Sequence, residues 1–315
     1  MFPPLIAVLV FAVAPVMAQD SGRPMRLIIP FPAGGGSDAV GRIIASKLGE
    51  RAGQQVVVDN RAGAGGSIGT EAAVRAQPDG HNMVLASTSE IAINPALYKL
   101  AYDTLKDLIP VSLVASAAMV VVAAPAGPGS VKELIALAKA KPGTVNVASA
   151  GNGTITHLSG ELFRSMANLS WTHVPYKGAP PALTDVAGAR VEVMFSSLPA
   201  AMPLIKANRV KAIAVSTRER QSSLPDVSTV IESGLPGYDV VYWYGIFVPA
   251  GTPRPAVTGL ADRIAQSLRQ KDTLTALANQ GAVAGDTTQT QFADFVRSEH
   301  TRWTQLVKSS GAKAD

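Results

Sequence analysis

Two stretches of this sequence set hydroxyl residues among glycines: Gly34-Gly35-Gly36-Ser37-Asp38 and Ser149-Ala150-Gly151-Asn152-Gly153-Thr154. A short apolar run precedes each stretch and helical periodicity follows it, so each reads as a strand, a glycine loop and a helix start. The chemistry this offers is anion binding. Glycine lets the main chain approach a ligand, the first-turn N–H groups of a helix have no internal partner, and the helix dipole adds partial positive charge. Two such loops facing each other across a cleft could hold both ends of a diacid, or one carboxylate from two sides, without a buried cation. Each dipole contributes about 0.3–1 kcal/mol, up to ~2 kcal/mol when partly buried, so several hydrogen bonds must accompany it. His157, in the first turn of the second helix, is a further potential donor, and Arg61 and Lys177 stand in glycine-containing loops where they could add charge.

Other chemistries compete for the same residues. Gly34-x-Gly36-x-x-Ala39 matches the dinucleotide-binding fingerprint, and Asp59 stands near the position of the ribose-binding acid, which would make the chain a Rossmann-type NAD-dependent oxidoreductase. Against this, Pro30-Phe31-Pro32 separates the strand from the glycines, where the fingerprint needs an immediate turn. Gly65-x-Ser67-x-Gly69 matches a hydrolase nucleophile elbow, but Asn60 to Ala64 intervene after the strand, and a capping role suits Ser67 better. His81, His157, His173 and His300 show no metal-ligand spacing, so neither a metal nor a cofactor is expected.

The elements that must position these loops alternate along the chain. Leu27–Ile29, Val56–Val58 and Met83–Ala86 read as strands, with a helix after Ser37 closed by Gly53 and another running from Ser67 through Ala76. The pattern repeats with a strand over Met119–Ala123, a helix over Val131–Ala140 capped by Ser130, a strand over Val145–Ala148 and a helix over Thr154–Ala167. Strands near Thr172, Val191 and Ala212 follow. Such alternation means parallel sheet, with ligands outside the carboxyl ends of the strands. The stretch Val121 to Gly127 is echoed by Gly245 to Gly251, each leading into a helix. Two such crossings would divide the chain into one lobe of residues 19–124 with 248–315 and a second lobe of residues 125–247, with a hinged cleft between them. Tyr238, Tyr242, Trp243, Tyr244 and Phe247 crowd the second crossing, and strand alternation puts Tyr242 and Tyr244 on the face opposite Trp243.

Met1 to Ala18 is an almost unbroken apolar run ending in Val-Met-Ala, the pattern of an export signal cleaved near Ala18 and Gln19, although no Lys or Arg precedes it. The remaining chain has no cysteine, which excludes disulfides, thiol nucleophiles and Cys-ligated metals. The 47% apolar content of the full sequence supports two real cores. Lys and Arg outnumber Asp and Glu 28 to 23, yet they form no cluster able to grip phosphate backbones, so no nucleic-acid partner is expected. A diffuse positive charge suits the attraction of small anions.

Taken together, Pro30 to Asp38, Asn60 to Gly66, Asn94 to Lys99, His173 to Gly178, Leu198 to Ala201, Gly234 to Tyr238 and Val248 to Pro253 resemble, in order, the Bug-type solute receptors of tripartite tricarboxylate transporters. The resemblance implies an α/β, two-lobed Venus-flytrap receptor of type II-like build, with two doubly wound sheets joined by two crossover strands. It implies a non-enzymatic, monomeric periplasmic protein that delivers a small carboxylate to a membrane permease of one large and one small subunit. It further implies that main-chain groups of Gly34–Asp38 and Ser149–Thr154 hold one carboxylate, while Ser87, Thr88, Ser196, Ser197 and Trp243 read the ligand's other end. Phe31 and Trp243 are expected to shape the pocket. Relatives often carry an acid or amide where Ser196-Ser197 stand here, so a simple or aromatic carboxylate is favoured over an amino acid.

Overall fold

A computed structural model describes residues 22–310; the expected export signal lies outside the described residues. In chain order the elements are β1 (Met25–Ile29), α1 (Gly36–Ala52), β2 (Val56–Asn60), α2 (Ser67–Val74), β3 (Asn82–Ser87), α3 (Asn94–Leu97) and β4 (Leu108–Ala123). They continue with α4 (Val131–Ala140), β5 (Asn146–Ser149), α5 (Ile155–Met166), β6 (Thr172–Pro175), α6 (Ala179–Ala187), β7 (Val193–Ser197), α7 (Leu198–Lys206) and β8 (Lys211–Val215). Last come β9 (Val241–Pro249), α8 (Arg254–Leu268), α9 (Lys271–Asn279), β10 (Ala282–Ala284) and α10 (Gln289–Ser310).

Several ends follow from local chemistry. Gly53 ends α1 in the left-handed region, donating its N–H to the Gly49 carbonyl. Ser130 caps α4 by accepting from Glu133 N–H at 3.2 Å, while the Glu133 carboxylate accepts from Gly129 N–H at 2.8 Å, a reciprocal cap. Ser67 is the first residue of α2 rather than its cap; its hydroxyl donates to the Ala64 carbonyl at 2.6 Å.

The strands run in the order β2-β1-β3-β9-β4-β7-β5-β6, with β8 and β10 also paired to β4. β1 is parallel to β2 and β3, whereas β9 runs antiparallel between β3 and the first half of β4. The second half of β4 pairs with β7 and β8, and β5 lies parallel to both β6 and β7. The α/β architecture therefore has two sheet halves joined through one long strand. β4 leaves β9 after Ala118 and meets β7 from Met119, and the chain returns at Val240-Val241, where Val240 N–H donates to the Ser216 carbonyl before β9 begins. These handovers precede the boundaries at 124 and 247 drawn from the repeated Val-Pro-Ala-Gly-like stretches. Those stretches instead end β4 and β9, at tips remote from the handover, where each chain turns toward α4 or α8.

β4 is much longer than the expected Met119–Ala123. Pro110, Ser112 and Ser116 break the apolar run that marks a buried strand, and its register shifts twice against β9, between Pro110 and Ser112 and between Leu113 and Ala115.

Candidate functional site

Four helices begin at one place between the sheet halves. A cavity of about 20 Å³ is lined by Gly35 at the start of α1, Thr154, Ile155 and Thr156 at the start of α5, Ala179 and Pro180 at the start of α6, and Ser197 at the start of α7. Phe31, Pro32, Ser89, Ala150 and Tyr242 complete the wall. Among the described lining residues there is no Asp, Glu, Lys, Arg or His. Positive character here comes from oriented main-chain N–H groups and helix dipoles.

The first glycine loop is shaped by Asp38. Its buried carboxylate accepts from Gly34 N–H at 2.9 Å, from Arg42 Nε at 2.9 and 3.0 Å and from Asn60 Nδ2 at 3.1 Å. Burial raises the carboxyl's pKa, but the bonds from Arg42, Gly34 and Asn60 outweigh it and hold the group below its ordinary value. Asp38 is thus a strut that ties Gly34 to the first turn of α1. Gly36 lies close against the other half: a Cβ there would fall on the Ser197 hydroxyl, and would also lie 2.9 Å from the Tyr244 hydroxyl and 3.4 Å from the Ala200 nitrogen.

The second loop is held from within. Thr154 Oγ1 donates to the Gly151 carbonyl at 2.7 Å, Gly151 N–H donates to Ser149 Oγ at 3.2 Å, and Gly153 N–H donates to His157 Nδ1 at 3.2 Å. His157 stacks on His173 with ring centroids 3.9 Å apart, and His173 Nε2 lies 2.7 Å from Ser149 Oγ. Burial, with His157 alongside, pushes the His173 imidazole down to about 4, so His173 packs as a neutral ring behind the loop. With Nδ1 engaged by Gly153, His157 supports the loop and does not line the cavity.

Of the bonds that cross between the halves, two lie beside these loops. Ile155 N–H donates to Ser89 Oγ at 3.1 Å, and the Tyr98 hydroxyl donates to the Asn152 carbonyl at 2.9 Å.

Of the residues expected to read a ligand's far end, Ser197 lines the cavity and the others do not. Ser196 Oγ turns to the Ser197 carbonyl, and Thr88 Oγ1 accepts the Trp243 N–H at 3.2 Å. Ser87 Oγ lies 3.0 Å from the Tyr242 hydroxyl and also bonds Glu90, one layer behind the wall. Trp243 is corrected outright: it packs against Phe247, Phe292 and Phe295 on the far face of β9 and donates Nε1–H to Glu299 at 3.0 Å. Strand alternation puts Tyr242, which lines the cavity, and Tyr244 on the other face, their rings tilted by 50° with centroids 4.7 Å apart. Sequence reasoning also missed Ser89, Tyr98 and the start of α6, though Pro180 after Gly178-Ala179 is the usual mark of a first helical turn.

Two competing chemistries lose their residues. Asp59 is taken up by ion pairs with Arg26 and Arg61, each through Nε at 2.9 Å, and Ser67 is spent on the Ala64 carbonyl. Residues 40–312 match the model of the tripartite tricarboxylate transporter family receptor. The chain belongs to that family.

The family comprises solute-binding receptors, not enzymes, and its known members frame this chain closely. Protein BugT of Bordetella pertussis is 36% identical over 304 residues, covering 95% of this chain and 93% of its own. The Rpa4515 protein of R. palustris, solved with adipate, superposes with a TM-score of 0.91 at 32% identity, covering 94% of this chain and 99% of its own. MatC from Rhodopseudomonas palustris, solved with bound malate, gives a TM-score of 0.85 at 31% identity over 90% of this chain and 98% of its own.

Proposed function

We propose that this receptor captures a small organic carboxylate, a di- or tricarboxylate or an aromatic acid, between its two sheet halves and delivers it to a permease of one large and one small membrane subunit. The observation that carries this reading is the convergence of α1, α5, α6 and α7 on one cavity whose described lining offers main-chain donors and hydroxyls but no cation. Such a site stabilises one or two carboxylates and discriminates by shape. Adipate and malate, bound to the two R. palustris relatives, are the first compounds to try.

The halves that meet at Ala118-Met119 and Val240-Val241 act as lobes, and their approach around the ligand is the signal read by the permease. Water exclusion on closure strengthens each hydrogen bond to the anion. The protein works as a periplasmic monomer, with Met1 to Ala18 removed as its export signal.

A thermal-shift screen of the purified protein against carboxylates, amino acids and NAD tests the reading. A ligand at a hundred times its dissociation constant adds about 2.7 kcal/mol, which for a protein of this size raises the melting temperature by several degrees. A shift with NAD and with no carboxylate would overturn it.

A further inference from the structure

Behind the cavity wall stands an acid that carboxylate binding, as described so far, does not use. Glu90, in the turn Ser89–Ile93, is fully buried, and no Lys, Arg or His among the described residues bonds to it. Its Oε2 meets the Ser87 N–H at 3.3 Å and the Ser87 hydroxyl, while Oε1 has no partner among the described residues. Gly66 closes in on the same side chain, since a Cβ there would lie 2.7 Å from Glu90 Cγ. An ionised carboxylate with one oxygen unserved is costly in such a place, whereas a neutral acid needs only one acceptor for its proton, and Ser87 Oγ is at hand. Burial accordingly pushes the group up to about 7.

Glu90 is joined to the cavity by hydroxyls that each hold one proton. Ser87 Oγ touches Glu90 on one side and lies 3.0 Å from the Tyr242 hydroxyl on the other, and Tyr242 lines the cavity. A serine or tyrosine hydroxyl donates a single hydrogen bond, so the direction of the first link dictates the second. With Glu90 ionised, Ser87 gives its proton to the carboxylate, Tyr242 gives its own to Ser87, and the cavity faces the lone pairs of Tyr242. With Glu90 protonated, the acid donates to Ser87, Ser87 donates to Tyr242, and the Tyr242 proton is free to meet an anion. Ser37 and Ser89 stand beside the same hydroxyl as uncharged neighbours, able to donate to it or accept from it, so they follow this order and do not set it. Charge works in the same sense, because an ionised acid one layer back repels an anion in front of it.

We propose that Glu90 is a positioning residue for anion binding: as a neutral acid it orders the Ser87–Tyr242 chain so that Tyr242 donates into the cavity, and the bound anion is accompanied by a proton on Glu90. This deepens the carboxylate-receptor reading and rests on it. Affinity then rises as the surroundings acidify. The other titratable groups around the turn are already committed. Burial keeps the hydroxyls of Tyr242 and Tyr244 on β9, and of Tyr102 before β4, protonated. On α10, Glu299 is engaged by Trp243, Trp303 and Arg302, and on α2, Glu71 pairs with Arg75. β3, α3 and the turn Ala64–Gly66 carry no charged side chain.

Isothermal titration of adipate and malate at pH 6.5 and 8.5, each in two buffers of different ionisation enthalpy, tests this in the wild type, Glu90→Gln and Ser87→Ala. With Glu90 titrating near 7 in the empty receptor, wild-type affinity is expected to fall on the order of twentyfold between the two pH values, with uptake approaching one proton per anion at the higher. Glu90→Gln, whose amide N–H replaces the acid proton, should take up no proton and should bind as well at pH 8.5 as at pH 6.5. Ser87→Ala, its fold checked by circular dichroism, cuts the chain and should lose most of the pH dependence. A wild-type affinity equal at the two pH values, proton uptake that survives in Glu90→Gln, or a full pH dependence in Ser87→Ala overturns the relay and leaves the receptor reading intact. Binding of neither acid at pH 6.5 overturns both.

Discussion

The hydroxyl of Tyr98 donates a 2.9 Å hydrogen bond to the main-chain carbonyl of Asn152, joining the segment after α3 on one sheet half to the glycine loop before α5 on the other. Gly153 packs beneath the same ring, where a Cβ would come within 2.8 Å of the Tyr98 oxygen. In the proposed approach of the halves this bond favours the arrangement described, and neither residue lines the small cavity at the helix starts.

Replacing Tyr98 by Phe should therefore weaken carboxylate binding through faster release. A neutral hydrogen bond is worth about 0.5–1.5 kcal/mol, or roughly two- to tenfold in affinity. Stopped-flow measurement should place most of that loss in the dissociation rate, and a loss confined to the association rate would contradict a latch.

The two faces of β9 make opposite predictions. Trp243→Phe should lower the melting temperature, since it removes the bond to Glu299 and part of the packing against Phe292 and Phe295, yet leave ligand affinity unchanged. Tyr242→Phe, on the cavity wall beside Ser87, should alter affinity. Titration of both variants with one carboxylate separates the faces, and a reversed pattern would restore Trp243 to the site.

The contrast at β9 shows what the sequence discloses and where it stops. Alternation established that Tyr242 and Tyr244 oppose Trp243, but which face meets the cleft depends on α10, whose Phe292 and Phe295 cover the Trp243 side from about fifty residues further along the chain. The glycine loops before α1 and α5 were legible because glycine, hydroxyl and helical periodicity are local signals. The start of α6 and the Tyr98 latch were not, because each acquires its place only when distant segments meet. The resemblance gave Gly34–Asp38 a main-chain role toward a ligand; the geometry adds that the Asp38 side chain is itself engaged by Gly34, Arg42 and Asn60.

Glu90 gives the protein a pH dependence of stated sign. Fully buried, its Oε2 accepts from Ser87 N–H at 3.3 Å and from the Ser87 hydroxyl, while Oε1 has no partner among the described residues. Burial pushes its carboxyl up to about 7 from an ordinary 4.5. The folded state then holds a proton that the unfolded state has released, so this stability is present below pH 4.5 and is lost as pH rises through 7, on the order of 3 kcal/mol in all. His173, held down to about 4, acts in the opposite sense, and its contribution is lost as pH falls from about 6.5 to 4. Denaturant titrations of Glu90→Gln across pH 4.5 to 8 should be flatter than those of the wild type, and an identical pH slope would show that Glu90 stays ionised.

The central claim is that helix starts brought together across the seam hold a carboxylate with main-chain groups. Gly36 is where a side chain would part them, since any Cβ collides with Ser197 and approaches Tyr244. The most direct test is isothermal titration of adipate and malate into the wild type and into Gly36→Val, with the fold of the variant checked by circular dichroism. The account predicts one-to-one binding of at least one of these acids by the wild type and a loss of about a hundredfold or more in a folded Gly36→Val protein. Equal affinity in the two proteins would contradict it.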